Sequence, residues 1–117
     1  MIVDRIQAFA LALPHVTVVA QWGGLVYKVA GKMFLHLHLD ARVLEGITFK
    51  CTPEEFDELT EHDGIIQAPY CAKRMWAKIE DFAALPEDQL IARIRRSYDL
   101  VVEKLPKKTR AQLGLPI

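Results

Sequence analysis

A chain of 117 residues, 51% hydrophobic and 26% charged, is long enough for one hydrophobic core and has the make-up of an ordinary globular domain. Its 15 basic and 15 acidic residues cancel, so the molecule has no net field to draw in nucleic acid or a membrane, and any such attraction must come from local segregation of charge. No apolar run approaches the roughly 20 residues of a membrane span and no basic-then-apolar leader opens the sequence, so no membrane partner and a cytoplasmic address are expected.

A first helix is predicted from about Val3 to Leu13, where Ile2, Ile6, Phe9, Ala10 and Leu13 form an apolar stripe and Pro14 forces a stop. His15 to Gln21 reads as a connection rich in β-branched residues, with a short extended piece as the alternative. Two strands follow, Leu25–Val29 and Met33–Leu39, folded on each other at Ala30-Gly31-Lys32, and Gly31 can take the positive φ of a tight hairpin. Alternation puts Met33, Leu35, Leu37 and Leu39 on one face and Phe34, His36, His38 and Asp40 on the other. A third strand is expected at Ile47–Cys51. The clearest helix start comes next: Thr52 as N-cap, Pro53 at the first helical position and Glu55 three after the cap, running to about Glu61. Ile65–Ala68 and Arg74–Ile79 read as two further strands. A last helix is predicted from Pro86 to Lys104, with Leu90, Ile94, Tyr98, Val101 and Leu105 as its stripe, and residues 107–117 as a basic, looser tail.

The order helix, three strands, helix, two strands, helix over residues 1–117 is that of a single α+β domain. Short strand connections imply a mainly antiparallel five-stranded sheet, and one apolar stripe per helix implies a two-layer sandwich with the helices on one face. If Met33, Ile47, Phe49 and Met75 meet the helices, then Lys28, Phe34, His36, His38, Thr48, Lys50, Arg74, Trp76 and Lys78 share the open face.

Several segments carry a family resemblance: Leu13-Pro14-His15, Trp22-Gly23, Tyr27-Lys28-Val29, Gly31-Lys32-Met33-Phe34, Lys50-Cys51-Thr52-Pro53-Glu54-Glu55, Lys73-Arg74-Met75-Trp76, Ser97-Tyr98-Asp99-Leu100-Val101-Val102 and Lys104-Leu105-Pro106-Lys107-Lys108. In this order, across almost the whole chain, they closely resemble the MmcQ/YjbR family of small bacterial proteins. The resemblance implies a fold similar to the secretion-chaperone-like α+β class and a DNA-binding role, and it brings no catalytic residue set and no cofactor. This chain departs from it at Ala68-Pro69-Tyr70-Cys71, where many members have a glycine and a histidine.

Two features fit nucleic acid. On the open face, cations interleave with Phe34 and Trp76, giving charge for phosphates and flat rings for unstacked bases. The plain alternative is that both rings pack under a loop or the tail. From Arg93 to Arg110 the chain carries seven bases against two acids, while the compensating acids crowd into Glu54–Asp63. A basic helix and tail can contact phosphates without reading sequence, although a solvated helix face with an Arg95–Asp99 pair accounts for the same pattern. The residues expected to contact DNA are Lys73, Arg74, Trp76, Lys78, Arg93, Arg96, Lys104, Lys107, Lys108 and Arg110.

Other chemistry has less behind it. His36 and His38 form a pair on one strand face, but a metal site needs three or four ligands, so none is expected. In the cytoplasm Cys51 and Cys71 are expected as reduced, partly buried thiols. Cys71 has Lys73 and Arg74 nearby to lower its pKa, yet no base is legible beside it, and Ser97 lies inside a helix. The expectation is therefore a protein without enzymatic activity that binds DNA weakly. The alternative is a protein-interaction or dimerisation module using Phe34 and Trp76 on the open face, with a small-ligand pocket around Trp22, Tyr70 and Trp76 as a third reading.

Overall fold

A computed structural model describes residues 2–116. In chain order the elements are α1 (Ile2–Ala12), β1 (Val16–Gln21), β2 (Gly24–Val29), β3 (Lys32–Asp40), β4 (Val43–Lys50), α2 (Pro53–Leu59), β5 (Ile65–Gln67), β6 (Trp76–Ile79), α3 (Glu87–Lys104) and α4 (Lys107–Gln112). The strands form one antiparallel sheet in the order β1-β2-β3-β4-β6-β5. The α+β class and antiparallel sheet are those read from the sequence, with six strands instead of five. The extra one is β1, which pairs with β2 from Val16↔Val29 to Gln21↔Gly24. Val18 and Val19 stay 39% exposed at this sheet edge, so the segment shows no alternation to betray it. Arg74 is not in a strand, since its φ of 62° lies in the left-handed region and β6 starts at Trp76.

β1 to β4 are joined by three two-residue hairpins, Trp22-Gly23, Ala30-Gly31 and Ala41-Arg42, with φ positive at both residues of each (50° and 73°, 50° and 77°, 47° and 76°). That is the signature of a type I′ turn, whose twist matches the twist of the strands it joins.

The sheet's register shifts twice, between β3 and β4 at His38/Leu39 and between β2 and β3 at Tyr27/Lys28, and the second changes the face of a core residue in a way the sequence does not announce. Tyr27 pairs with Leu35 but Lys28 pairs with Met33, leaving Phe34 as an extra residue, a β-bulge. Strict alternation breaks there. Phe34 joins Leu35 on the helical side, fully buried, with its ring edge-on to Tyr98 at 5.4 Å and 86°. Met33 turns to the open face instead. Both assignments made from alternation are thereby reversed.

α3 lies across β3 and β4 and buries Leu90, Ile94, Tyr98, Val101 and Val102. Facing it are Tyr27, Leu35, Leu37, Ile47, Phe49, Ala77 and Ile79. The fully buried Ser97 accepts a hydrogen bond from the Lys50 amide (2.8 Å) and donates to the Phe34 carbonyl (2.6 Å). It thus bridges β3 and β4 at the position just past their last pair, Leu35↔Phe49. The Tyr98 hydroxyl donates to the Pro14 carbonyl at 2.7 Å, tying α3 to the end of α1. At α2 the capping box is complete: Thr52 Oγ1 accepts from the Glu55 amide (3.2 Å) and Glu55 Oε1 accepts from the Thr52 amide (2.9 Å). Residues 107–116 are not a loose tail. They carry α4, a buried Leu115, and a Leu113 carbonyl that accepts from His15 Nε2 at 2.6 Å. Among the described residues no helix is long and apolar enough to cross a membrane.

Candidate functional site

On the face away from α3, the register aligns Val26, His36, Thr48 and Lys78 in one row across β2, β3, β4 and β6. His36, Thr48 and Lys78 of this row floor a cavity of about 620 Å³ whose lining also includes His38 and Met33. Trp22, from the β1–β2 turn, is 68% exposed, and Tyr70, from the β5–β6 connection, is fully exposed; both rings line the same cavity. The Trp22 ring meets His36 at 6.1 Å and 63°.

The floor is polar but neutral apart from Lys78. His38 Nε2 hydrogen-bonds Thr48 Oγ1 at 2.8 Å, while Nε2 of the nearly buried His36 has no partner. Burial first, and then the charge of Lys78, lowers the pKa of His36. Burial, His36 and Lys78 together take His38 down to about 4. Gly46 makes room for the lysine, since a Cβ there would come 2.7 Å from Lys78 Cε. Among the described residues Lys78 has one ionic partner, the half-exposed Glu80, at 3.5 Å.

A second, smaller groove of about 260 Å³ opens at the end of the sheet, between Lys32, Met33, Lys50 and Trp76 on one side and Lys104, Leu105 and Pro106 on the other. Lys50 and Trp76 are partners across β4 and β6, and the Lys50 ammonium lies 5.8 Å from the indole centre. Burial, and next the neighbouring Lys104, lowers the Lys50 pKa. Among the described residues three ammonium groups and no carboxylate line this groove. Lys107 and Lys108 follow directly on Pro106 and are exposed.

The ten residues picked out from the sequence fall into separate places. Trp76 and Lys104 meet at the groove, with Lys107 and Lys108 adjoining it. Lys78 floors the cavity. Arg96 pairs with Glu55 at 3.1 Å, Arg93 reaches Glu55 and Glu58 at 3.9 Å, and Arg74 pairs with Asp57 at 2.8 Å. The acidic helix α2 thus lies against the very arginines that made the C-terminal quarter look basic. Lys73 is exposed in the β5–β6 connection, and Arg110 is half-buried with its Nε unpartnered. Lys32 was not singled out. It sits beside a turn, and only the fold carries it to Trp76.

Reactive groups are muted here. Cys51 and Cys71 are free thiols. Burial, helped by Glu55, pushes Cys51 up to about 11, and burial also raises Cys71, against the direction expected from Lys73 and Arg74. Ser97 spends its hydroxyl on the backbone of β3 and β4. Among the described residues no group of three or more His, Cys, Asp and Glu side chains is placed to hold a metal ion.

The fold is shared with solved structures. A crystal structure of a Deinococcus radiodurans protein with a DUF419 domain superposes with a TM-score of 0.83 at 25% identity, covering 97% of this chain and 88% of that one. A Pseudomonas syringae protein superposes with a TM-score of 0.67 at 17% identity, covering 83% of this chain and 96% of that one. No curated protein matches the sequence. The family model described as YjbR matches residues 11–100, spanning the sheet, α2 and most of α3, and the chain therefore belongs to the YjbR family.

Proposed function

We propose that this protein is a non-enzymatic cytoplasmic module that binds DNA weakly and without sequence preference, through the groove of Lys32, Lys50, Trp76 and Lys104 and the adjoining Lys107 and Lys108. The observation that carries the reading is the meeting of three lysines around one accessible indole with no acid among the described residues that line the groove. Ammonium groups held close together repel one another, and a phosphate backbone relieves that repulsion while releasing its own counterions. The indole offers a face on which an unstacked base can lie. Binding is expected to favour single strands, because an unstacked base can reach the indole face and a paired one cannot. Arg93 and Arg96 contribute little, since their charge is already answered by α2.

Fluorescence anisotropy with a labelled oligonucleotide of about 12 bases, single- or double-stranded, tests this over about 50 to 200 mM salt. Combining Lys32→Gln, Lys50→Gln and Lys104→Gln is expected to weaken binding at least about tenfold at low salt and to flatten its salt dependence by about two phosphate contacts. Combining Arg93→Gln and Arg96→Gln is expected to leave affinity nearly unchanged. A triple lysine variant that binds like the parent overturns the proposal. Self-association or protein capture on the open face is a weaker alternative, because Phe34, one of its two aromatic anchors, is buried against Tyr98.

A further inference from the structure

The cavity on the open face is a site of its own, with different lining from the lysine groove apart from Met33. We propose that it binds a small planar aromatic carboxylate, with the ring between Trp22 and Tyr70 and the carboxylate at Lys78 and Thr48.

Four observations converge. The first is size, because about 620 Å³ lies within the ordinary range for small-molecule sites and accepts a bicyclic ring. The second is the placing of the walls. Trp22 and Tyr70 have φ of 50° and 63°, a left-handed backbone that bulky side chains rarely adopt. In the type I′ turn at Trp22 the default residue is Asn, Asp or Gly. An exposed tryptophan at that position is held at a conformational disadvantage, and so is the exposed tyrosine facing the same space. Tyr70 gains no burial in return, and Trp22 gains only its edge contact with His36 while staying 68% exposed. Strain of this kind concentrates where a side chain must be presented to a ligand.

The third observation is charge. Among the described residues that line the cavity Lys78 is the only lysine, arginine or carboxylate, and burial favours the neutral form of both histidines. Its link to Glu80 is long and on a solvated carboxylate, so the ammonium keeps donors for an incoming anion. The fourth is an unmet polar demand: Nε2 of His36, 6% exposed overall, has no hydrogen-bond partner, and the ring lies under Trp22. Gly46 keeps the space that lets the lysine stem lie along the floor. Flat rings on the walls and one cation on an otherwise neutral floor select for a planar acid over either a neutral ring or an aliphatic acid.

The test is calorimetric titration of the full chain with 2-naphthoate, its uncharged counterpart 2-naphthamide, and succinate, with amide and indole NMR shifts to locate binding. The expected result is saturable binding of 2-naphthoate, about tenfold or more tighter than of the amide or succinate, with shifts at Trp22, Tyr70 and Lys78. Lys78→Met should abolish the preference for acid over amide, and Lys78→Arg should keep it. Trp22→Asn should weaken both aromatic probes without lowering thermal stability, because asparagine suits the turn. No binding, equal binding of acid and amide, or a preference that survives Lys78→Met overturns the proposal. So do shifts confined to Lys32, Lys50 and Lys104, which belong to the groove assigned to DNA. Loss of DNA binding in the lysine variants is read independently of these outcomes.

Discussion

The imidazole rings of His36 and His38 stack at a centroid distance of 3.9 Å and a 33° tilt, two residues apart on the same face of β3. Two cations cannot share that geometry beside Lys78 without repulsion. Burial already disfavours the charged form of each ring.

Stability should therefore fall on acidification before most carboxylates titrate. In the unfolded chain both histidines protonate near pH 6.5, while in the fold His38 stays neutral down to about 4 and His36 is also shifted down. Between those limits the unfolded state holds more protons, so stability rises with pH, is fully present above about 6.5, and drains away below it. For His38 alone the fall from 6.5 to about 4 corresponds to at most about 3 kcal/mol, and solvent screening of this half-buried ring reduces its contribution below that ceiling. Urea midpoints from pH 7.5 down to 5 should decline in the parent and much less in His38→Gln. Equal slopes in the two proteins would show that the stacked pair does not control this range.

Ser97→Ala is expected to destabilise by about 2 kcal/mol or more, because the Lys50 amide and the Phe34 carbonyl lose their partner in a site closed to water. Ser97→Thr adds a methyl to a filled position and should not rescue it. Denaturant unfolding measures the loss. Amide exchange at Lys50 should accelerate more than at its neighbours. A change below about 0.5 kcal/mol would mean that the hydroxyl merely fills space.

Ser97 also marks where reading the sequence ran out. The helices at 53–59 and 87–104 were legible because each has an apolar stripe and a start signal, Thr52 with Glu55 for one and Pro86 for the other. The hairpin at Ala30-Gly31 was legible from its glycine. The face of Phe34 was not. A bulge leaves no mark in one strand's alternation, since it is decided jointly by the neighbouring strand and by the serine that bridges β3 and β4. β1 was legible only as a connection with room for a short extended piece, because an edge strand with valines on both faces has no period to detect. For the site, Trp22, Tyr70, His36, His38 and Lys78 could each be noticed. Only the register of four strands puts the last three on one floor, and only the left-handed turns bring the two rings over it. The basic quarter misled because α2, distant in sequence, folds back on Arg93 and Arg96.

Thr52→Ala should lower stability by about 1 kcal/mol, the usual loss when an N-cap hydroxyl is removed. Glu55→Gln should cost more than the cap alone. The carboxylate serves the Thr52 amide, Arg96 and, at longer range, Arg93. Its pKa is held low by the Thr52 backbone and Arg96 against the opposing effect of burial. This depressed value makes its stabilisation present above the ordinary carboxylate range and lost as pH falls below it. In Glu55→Gln, unlike Thr52→Ala, the loss should therefore shrink below about pH 4, and parallel unfolding curves for the two variants at pH 7 and pH 3.5 would reveal the difference.

The adjacent glycines of the β1–β2 hairpin should respond in opposite ways to a side chain. Gly23 has φ +73° and open space around its missing Cβ, so Gly23→Asn, which tolerates a left-handed backbone, should shift stability by less than about 1 kcal/mol. Gly24 lies within the strand, and a Cβ there would run into the Leu37 carbonyl oxygen and come 3.2 Å from His36 Nε2. The carbonyl belongs to the neighbouring strand and cannot swing aside, so Gly24→Ala must pry β2 from β3 where the cavity floor begins. A loss of about 3 kcal/mol or more is expected, with the Trp22 and His36 resonances displaced together. Thermal unfolding of the two single variants decides the matter, and a Gly24→Ala protein as stable as Gly23→Asn would show that the strands are not held this closely at Leu37.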